Sequence, residues 1–475
     1  MQKEEIIPPF AVFSNLYLNF GNRRKGVAAL FCMFEPMKKF LRAILLLWLV
    51  LFSTRIVKSQ DFEDVYRMLQ ESKILNDHFY GFSLYDLTAN KFVMDVNGNK
   101  HFTPASNTKM YTTYAALELL GDSIPGLEYV ERGDSLLIWG TGDPTFLHNR
   151  LDTRVVFNFL KKTNKTIYVV PGTMKNKFYA HGWAMEDFEA YYQPEISTFP
   201  IYGNVVTFRQ KGYNHLNTSP TSFQKDLDFL PEPNAGDFQL SRSFRGNSFW
   251  MSKRPVPNDY VNEVPFIYSD SLFVKLLSDT LGKKVGLLNY KKPNDTKIVY
   301  SGETKNLIRE MMLPSDNFIA EQFLMMCSWK QFGQFDTYLV RDWMKNKVYT
   351  FFSDEVAIFD GSGLSSYNKV TPQNNIDLLV LLKNKIPDEQ LRFRMFPAGG
   401  VDGTLKRTYS KDQGVPFVFA KTGTITSVYN QSGYLITRSG RRLAFSFMNN
   451  NYIDDRAAAI RKEMAKIITY IRQTY

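Results

Sequence analysis

The sequence predicts an α+β protein whose mixed core of helices and strands is split by a β-rich insertion. Two observations lead to this fold class. Helix and strand patterns alternate towards both ends of the 475-residue chain, whereas its middle contains short apolar runs between Gly, Pro and Asn residues. The length exceeds one ordinary compact core and favours two or three domains. A composition that is 44% hydrophobic and 15% aromatic excludes a largely disordered chain.

The N-terminal segment has the layout of a secretion signal. A short basic stretch that begins at Met37 precedes ten apolar residues at 43–52 (AILLLWLVLF), which are too few for a comfortable permanent membrane span. We expect residues 1–60 to be an N-terminal extension and signal peptide, either cleaved near Gln60 or kept as an anchor. Met37 is the expected initiator, because residues 1–36 precede the basic stretch. The expected location is the periplasm or the cell envelope.

The first part of the mixed core is predicted at 61–122. A helix pattern at 64–76 precedes two alternating strands, Gly81–Leu87 and Phe92–Val96, whose short Thr-Ala-Asn-Lys turn indicates a hairpin. A second helix pattern, Ser106–Leu120, follows and ends at a glycine.

A β-rich inserted region of one or two domains is predicted at 123–262, and the second part of the core at 263–475. The insertion's short apolar runs are Ser135–Trp139, Val155–Phe159, Thr166–Val170 and Val205–Phe208. Helix patterns in the second part cover Tyr268–Leu281, Ser315–Met326, Phe335–Asn346 and a segment from Thr371-Pro372 to Leu382. Strand patterns cover Phe417–Ala420, Gly433–Ile436 and Leu443–Met448, and an amphipathic helix ends the chain.

Charge, cysteine and histidine content exclude several classes of function. The net charge is +11, of which residues 1–60 carry +6, and the remaining basic residues are dispersed. A nucleic-acid surface is normally a clustered basic stripe, so no nucleic-acid partner is expected. Cys32 lies in the predicted signal segment, which leaves Cys327 as a buried free thiol. The five histidines have no ligand spacing, so neither a metal nor another cofactor is expected.

A short motif identifies the candidate nucleophile. Ser-x-x-Lys occurs at Ser106–Lys109, Ser222–Lys225 and Ser366–Lys369. Only Ser106 begins a helix pattern, where unpaired backbone N–H groups can hold an oxyanion. Lys109 returns to the same helix face one turn later, within reach of the Ser106 hydroxyl. The sequence therefore predicts Ser106 as the nucleophile and Lys109 as its base.

Two further motifs complete a set. Ser315-Asp316-Asn317 opens a helix pattern, and Lys421-Thr422-Gly423-Thr424 ends an apolar strand. A lysine acts as a base only when it is neutral, and we expect Lys421 to be the second cation that keeps Lys109 neutral. Gly423 lets a substrate backbone approach the strand, and the cation and hydroxyls beside it suit a terminal carboxylate. The order Ser-x-x-Lys, Ser-Asp-Asn, Lys-Thr-Gly is typical of β-lactamases and penicillin-binding proteins.

The sequence resembles one family in particular, the low-molecular-mass class C penicillin-binding proteins, which are serine D-alanyl-D-alanine carboxypeptidases and endopeptidases. Besides the three motifs, the similar segments are Gly140–Thr145 (GTGDPT), Asp360–Ser365 (DGSGLS), Gly400–Leu405 (GVDGTL) and Ser432–Tyr434 (SGY). The resemblance covers roughly residues 65–470. It implies a penicillin-binding/β-lactamase-like transpeptidase core, an antiparallel sheet flanked by helices, that carries the insertion between the first two motifs. It also implies peptidoglycan stem peptides as substrates and β-lactam antibiotics as inhibitors.

The resemblance implies catalytic roles for four of the motif residues. Ser106 would attack the D-Ala-D-Ala carbonyl, and Lys109 would take its proton. Ser315 would relay a proton to the leaving amine, and Asn317 would hydrogen-bond both the substrate and Lys109.

The Lys-Thr-Gly-Thr segment is implied as the substrate-binding strand. Lys421, Thr422 and Thr424 would hold the carboxylate end of the substrate, with backbone N–H groups of Ser106 and Thr424 as the oxyanion hole. Asp316 is expected to cap its helix.

Two alternative functions remain open from sequence. A serine β-lactamase or esterase could use the same residues, but no Glu-x-x-Leu-Asn element is found and the insertion is long. A non-catalytic peptidoglycan-binding protein would not need an intact Ser106. The oligomeric state cannot be read from the sequence.

Overall fold

The computed structural model of the chain describes residues 62–231 and 236–475. The predicted signal segment at 43–52 and Cys32 lie outside the described residues. Within them, helices pack on mainly antiparallel sheets, which confirms the predicted α+β class. No helix in this part of the chain combines the length and the apolar character needed to cross a membrane.

The helices and strands are numbered separately in chain order. The α-helices are α1 (Glu63–Glu71), α2 (Thr108–Leu119), α3 (Val155–Lys162), α4 (Asp270–Leu281), α5 (Thr304–Met312), α6 (Asn317–Phe332), α7 (Thr337–Lys347), α8 (Pro372–Lys385), α9 (Glu389–Arg394) and α10 (Ala457–Thr474). The first eight strands are β1 (Phe79–Asp86), β2 (Lys91–Val96), β3 (Ser123–Arg132), β4 (Ser135–Trp139), β5 (Thr166–Val169), β6 (Val205–Gly212), β7 (His215–Ser219) and β8 (Leu227–Phe229). The others are β9 (Leu240–Arg242), β10 (Phe249–Met251), β11 (Val261–Pro265), β12 (Val285–Leu287), β13 (Lys297–Glu303), β14 (Val418–Ile425), β15 (Val428–Ile436) and β16 (Arg442–Asn450).

A five-stranded antiparallel sheet joins the two ends of the described chain. Its strand order is β14-β15-β16-β1-β2, so the predicted N-terminal hairpin pairs with the three C-terminal strands. Both faces are covered, because alternate residues of β16 enter different apolar clusters. Ala444 and Met448 pack with α2, α6 and α8, whereas Leu443 and Phe445 pack with α1 and α10.

Two helix starts follow the capping rules expected from sequence. The Asp316 carboxylate accepts a hydrogen bond from the backbone N–H of Ile319 (3.0 Å) and so caps α6. Thr371 caps α8 with its hydroxyl, and Pro372 occupies the first helical position. The Asp316 cap fixes the start of α6, where the Ser-Asp-Asn motif lies, and the Thr371 cap fixes the start of α8.

A second five-stranded sheet is built from residues between 123 and 303. Its order is β12-β5-β4-β3-β13, with β3 antiparallel to both β4 and β13 and with β5 parallel to β4 and β12. Two three-stranded sheets, β11-β6-β7 and β8-β10-β9, lie in the same part of the chain. Strands β12 and β13 follow residue 262 in sequence, so this sheet continues past the predicted end of the insertion.

One predicted strand is wrong. The apolar run Val155–Phe159 begins α3 rather than a β-strand. Its buried residues, Val156 and Leu160, are four positions apart, which is the spacing of one helix face. The two adjacent valines favour a strand locally, and burial against the second sheet overrides that preference.

Candidate active site

Ser106 lies in the turn that leads into α2 and lines a cavity of about 970 Å³. A short 3₁₀ turn, Ala105–Asn107, precedes the helix, and Ala105 has a left-handed backbone with φ of 46°. The cavity also contains the side chains of Ser315, Asn317 and Thr424. Residues from all three predicted motifs therefore meet at one surface.

Lys109 lies directly beneath Ser106 and is fully buried. Its Nζ is 2.9 Å from Ser106 Oγ, 2.6 Å from Asn317 Oδ1 and 2.7 Å from the backbone oxygen of Ser362. The Asn317 amide is oriented by its other end, because Nδ2 donates to the carbonyl oxygen of Tyr192 at 3.0 Å. Two of the three partners of Nζ are thus carbonyl oxygens, which can only accept hydrogen bonds.

This set of partners determines the direction in which the lone pair of a neutral Lys109 would point. A neutral amine has two N–H groups and one lone pair. With both N–H groups donating to Asn317 and Ser362, the lone pair is left facing the Ser106 hydroxyl, as a general base requires.

Burial lowers the pKa of Lys109 from 10.5 to about 8. The negative charges of Asp360, Asp316 and Glu321 oppose this shift. Burial, rather than the charge of Lys421 that the sequence suggested, is therefore the main cause of the low pKa of Lys109.

Lys421, on β14, is the second buried lysine of the site. Its Nζ donates to Ser315 Oγ at 2.8 Å and to the backbone oxygen of Thr422 at 2.7 Å. Burial lowers the pKa of Lys421 well below its ordinary value, and the charge of Lys109 lowers it further. Neither of these two partners is a carboxylate. An anionic substrate group that reached Lys421 would therefore favour the protonated amine and form an ion pair with it.

Ser315 and Asn317 are held by the residue between them. Besides capping α6, Asp316 accepts a hydrogen bond from Arg150 Nη2 at 2.5 Å. Ser315 has a left-handed backbone with φ of 66°, which turns its hydroxyl towards Lys421. A non-glycine residue in this conformation is uncommon and is often found at functional sites.

The substrate-binding segment predicted at 422–424 borders the same cavity. Thr422 donates to the hydroxyl of Thr404 at 2.8 Å, and Thr424 is exposed. A Cβ on Gly423 would lie 2.4 Å from the backbone oxygen of Pro104, so no side chain fits there. β14 therefore packs directly on the turn that carries Ser106, at the edge of its sheet.

The other two Ser-x-x-Lys matches do not form such a pair. Ser222 donates to Asp279 at 2.7 Å, and Lys225 is exposed. Lys369 donates to the backbone oxygen of Ser366 at 2.6 Å rather than to its hydroxyl. In the described part of the chain, no group of three or more His, Cys, Asp or Glu residues could hold a metal ion.

Sequence reasoning assigned no role to two contributors to the site. The backbone oxygen of Ser362 contacts Lys109 across 253 positions of sequence, and Glu321 contacts the backbone of that same loop. A backbone carbonyl has no residue signature of its own. The DGSGLS segment was nevertheless recognisable by its resemblance to the family, and it supplies this loop.

Comparison with known proteins identifies a matching family, two relatives and a solved structure with a similar fold. The model of the D-Ala-D-Ala carboxypeptidase 3 (S13) family matches residues 62–222 and 269–471. D-alanyl-D-alanine carboxypeptidase DacB of Haemophilus influenzae is 23% identical over 416 residues, which cover 78% of this chain and 85% of that protein. The D-alanyl-D-alanine carboxypeptidase of Actinomadura sp. is 24% identical over 457 residues, which cover 85% and 83%. Penicillin binding protein 4 (dacB) from Haemophilus influenzae shares the fold, with a TM-score of 0.67, 20% identity and coverage of 86% of this chain and 99% of that one.

Proposed function

This chain belongs to the D-Ala-D-Ala carboxypeptidase 3 (S13) family, and from this premise we propose that Ser106 is the nucleophile of its serine carboxypeptidase or endopeptidase reaction. The observation that carries the proposal is the contact set of Lys109. Its Nζ is within hydrogen-bond distance of two carbonyl oxygens and lies 2.9 Å from Ser106 Oγ, so a neutral Lys109 that donates to both carbonyls would direct its lone pair at the Ser106 hydroxyl. The substrates are peptidoglycan stem peptides that end in D-Ala-D-Ala.

Acylation begins when Ser106 Oγ forms a bond to the carbonyl carbon of the D-Ala-D-Ala peptide bond and its proton passes to Lys109. The N–H groups of Ser106 and Thr424 stabilise the oxyanion. The C–N bond then breaks, and Ser315 gives its proton to the leaving amine and regains one from the lysine pair. Its hydrogen bond from Lys421, at 2.8 Å, supports this relay.

Deacylation repeats the sequence with water as the nucleophile. Lys109 takes a proton from the water, the new C–O bond forms, and the bond between the acyl carbon and Ser106 Oγ breaks. Ser106 recovers its proton, and the shortened peptide leaves as a carboxylate. Lys421, Thr422 and Thr424 hold the substrate's terminal carboxylate in the first half-reaction, a role supported by the Lys421 amine, which has no carboxylate among its described contacts, and by the exposed Thr424 hydroxyl.

Labelled penicillin tests the assignment of Ser106. A β-lactam mimics the D-Ala-D-Ala terminus, and its opened ring stays attached and hinders the deacylating water. Mass spectrometry of a digest should show a stable, stoichiometric adduct on the peptide that contains Ser106. Ser106→Ala should abolish the adduct, whereas Ser222→Ala and Ser366→Ala should retain it. Absence of any adduct would favour a non-catalytic binding protein, and rapid turnover of the drug would favour a β-lactamase.

We also propose that the protein is exported to the periplasm or cell envelope, where peptidoglycan is located. The basic stretch and the apolar run at 43–52 support this location. N-terminal sequencing of the envelope-associated protein should give a chain that begins near Gln60. A mature chain that retains residues 1–36 would contradict it.

A further inference from the structure

Glu321 is a buried carboxylate that is linked to Lys109 through one loop residue, Ser362. The reaction described above does not use it. It lies on α6 and is only 2% exposed. Its Oε1 accepts hydrogen bonds from the backbone N–H groups of Gly361 (2.9 Å) and Ser362 (2.7 Å), and its Oε2 also accepts from Gly361 (3.0 Å). Both carboxylate oxygens are thus directed at the backbone of one loop.

The loop held by Glu321 is the one that contacts Lys109. The Ser362 N–H binds Glu321, and the carbonyl oxygen of the same residue accepts a hydrogen bond from Lys109 Nζ at 2.7 Å. Glu321 follows Asn317 by four positions, so the two side chains lie on the same face of α6. One face of α6 therefore acts on both carbonyl partners of Lys109. Asn317 provides the first carbonyl itself, and Glu321 holds the loop residue that provides the second.

Two glycines allow the loop to fit between α6 and the turn of Ser106. A Cβ on Gly361 would lie 2.8 Å from the backbone oxygen of Ala320, and one on Gly363 would lie 1.9 Å from that of Ala105. Asp360 fixes the far side of the loop, where it accepts hydrogen bonds from the N–H groups of Gly363 (3.0 Å) and Ser365 (2.7 Å). The position of the Ser362 oxygen is thus set by the two carboxylates and by close backbone contact.

A carboxylate in this place is costly for the fold. Burial raises the pKa of Glu321, and the nearby charge of Asp360 raises it further. A glutamine would have a lower desolvation cost and could keep the two hydrogen bonds that Oε1 accepts, but its NH2 group would meet the Gly361 N–H in place of Oε2. The negative charge of Glu321 also acts on Lys109, where it opposes the effect of burial on the pKa of the lysine. Its position and its charge therefore both affect the base.

We propose that Glu321 is a positioning residue for the acylation step: it holds the Ser362 carbonyl on Lys109 and thereby directs the lone pair of the lysine at Ser106. This inference rests on the proposed function, because it assigns Lys109 as the base. Without Glu321 the loop keeps its hydrogen bonds to Asp360 but loses those at Gly361 and Ser362. The Ser362 oxygen then moves, and an N–H group of Lys109 turns towards Ser106 instead of the lone pair.

The test uses Glu321→Gln and Glu321→Asp in the full chain. Single-turnover acylation by labelled penicillin separates the concentration for half-saturation from the maximal rate. Both variants should lose about 100-fold in the maximal rate with little change in half-saturation, because a displacement of about 1 Å at a catalytic group costs this much. Glu118→Gln is the matched control: Glu118 lies on α2 with Lys109 but is paired to Lys385 at 3.1 Å, and this variant should acylate normally.

The pH profile distinguishes positioning from a merely structural role. The charged groups that act on Lys109 are Asp360, Asp316 and Glu321, and the charge of Lys109 in turn lowers the pKa of Lys421. Glu321→Gln removes one negative charge, so the midpoint of the acylation profile should move to lower pH, whereas Glu321→Asp should keep the wild-type midpoint. Wild-type rates in both variants would overturn the proposal. It would also be overturned if the slower acylation were fully explained by a smaller fraction of folded protein. Failure of the wild-type protein to be labelled would instead overturn the proposed function.

Discussion

Lys109 Nζ lies 2.9 Å from Ser106 Oγ, and its other two partners are carbonyl oxygens. The pair is separated by three positions at the start of α2, so one helical turn sets the distance. The two carbonyls set the direction of the lone pair, and they come from distant parts of the chain. Burial is the main cause of the low pKa of Lys109, and the two carbonyls direct its lone pair, so the pKa and the orientation of the base can each be tested.

Lys109→Arg should reduce the rate of acylation by about 10²–10⁴-fold, because an arginine stays protonated and cannot accept the Ser106 proton. The rate of adduct formation with labelled penicillin measures this loss, and far-UV circular dichroism checks that the fold is kept. Lys225→Arg is the control, since Lys225 belongs to another Ser-x-x-Lys match and is exposed. Near-normal acylation by Lys109→Arg would eliminate Lys109 as the base.

The rate of acylation should rise with pH through about 8. Burial lowers the pKa of Lys109 to about 8, so the lysine is mostly protonated below this pH and mostly neutral above it. Only the neutral form accepts a proton. The rate constant should therefore increase about tenfold per pH unit well below the midpoint and level off above it. A rate that falls as pH rises through 8 would contradict this assignment.

Lys421 should recognise the terminal carboxylate of the substrate. A peptide that ends in a D-Ala-D-Ala carboxamide should lose about 10- to 100-fold in kcat/KM, since a hydrogen bond to a charged group contributes about 1.5–3 kcal/mol. In Lys421→Ala the carboxylate and carboxamide peptides should be cleaved at similar low rates. If this variant still discriminates between the two peptides as strongly as the wild-type protein, the carboxylate is held elsewhere.

The parts of the site that sequence predicts are those with a local physical signature. Ser106 and Lys109 were identifiable by their helix start, and Asp316 by its capping position. The Ser362 carbonyl and the carboxylate that positions it were not, because their contacts depend on how α6 and a distant loop pack together. The strand predicted at Val155–Phe159 was wrong for a related reason: two valines favour a strand, and packing made this segment a helix.

The boundary of the insertion depends on pairing that sequence patterns do not reveal. The predicted insertion ends at 262, whereas β13 (Lys297–Glu303) pairs with β3 across more than 160 positions. We propose that the inserted region extends to about Glu303, with β3 and β13 adjacent at its junction with the core. Antiparallel pairing between such distant segments leaves no periodicity in either strand that points to the other.

Substitution of Gly363 should lower the free energy of unfolding by more than its left-handed backbone alone explains. Gly363 has φ of 88° and Gly414 has φ of 80°, but an added Cβ meets Ala105 at 1.9 Å in the first case and no atom within 4 Å in the second. Gly414→Ala should lower the free energy of unfolding by about 1–2 kcal/mol, the cost of a left-handed alanine. Gly363→Ala should lose a further 1–3 kcal/mol or so from overpacking against the turn of Ser106.

Urea unfolding of the two glycine variants measures the difference in stability, and labelled penicillin measures its effect on the nucleophile. Because the added methyl group at 363 displaces Ala105 and Ser106, acylation should fall in Gly363→Ala and stay normal in Gly414→Ala. Equal losses of stability in the two variants would mean that the loop can move away from the turn. In that case close contact with Gly363 would not be what holds Ser106 in place.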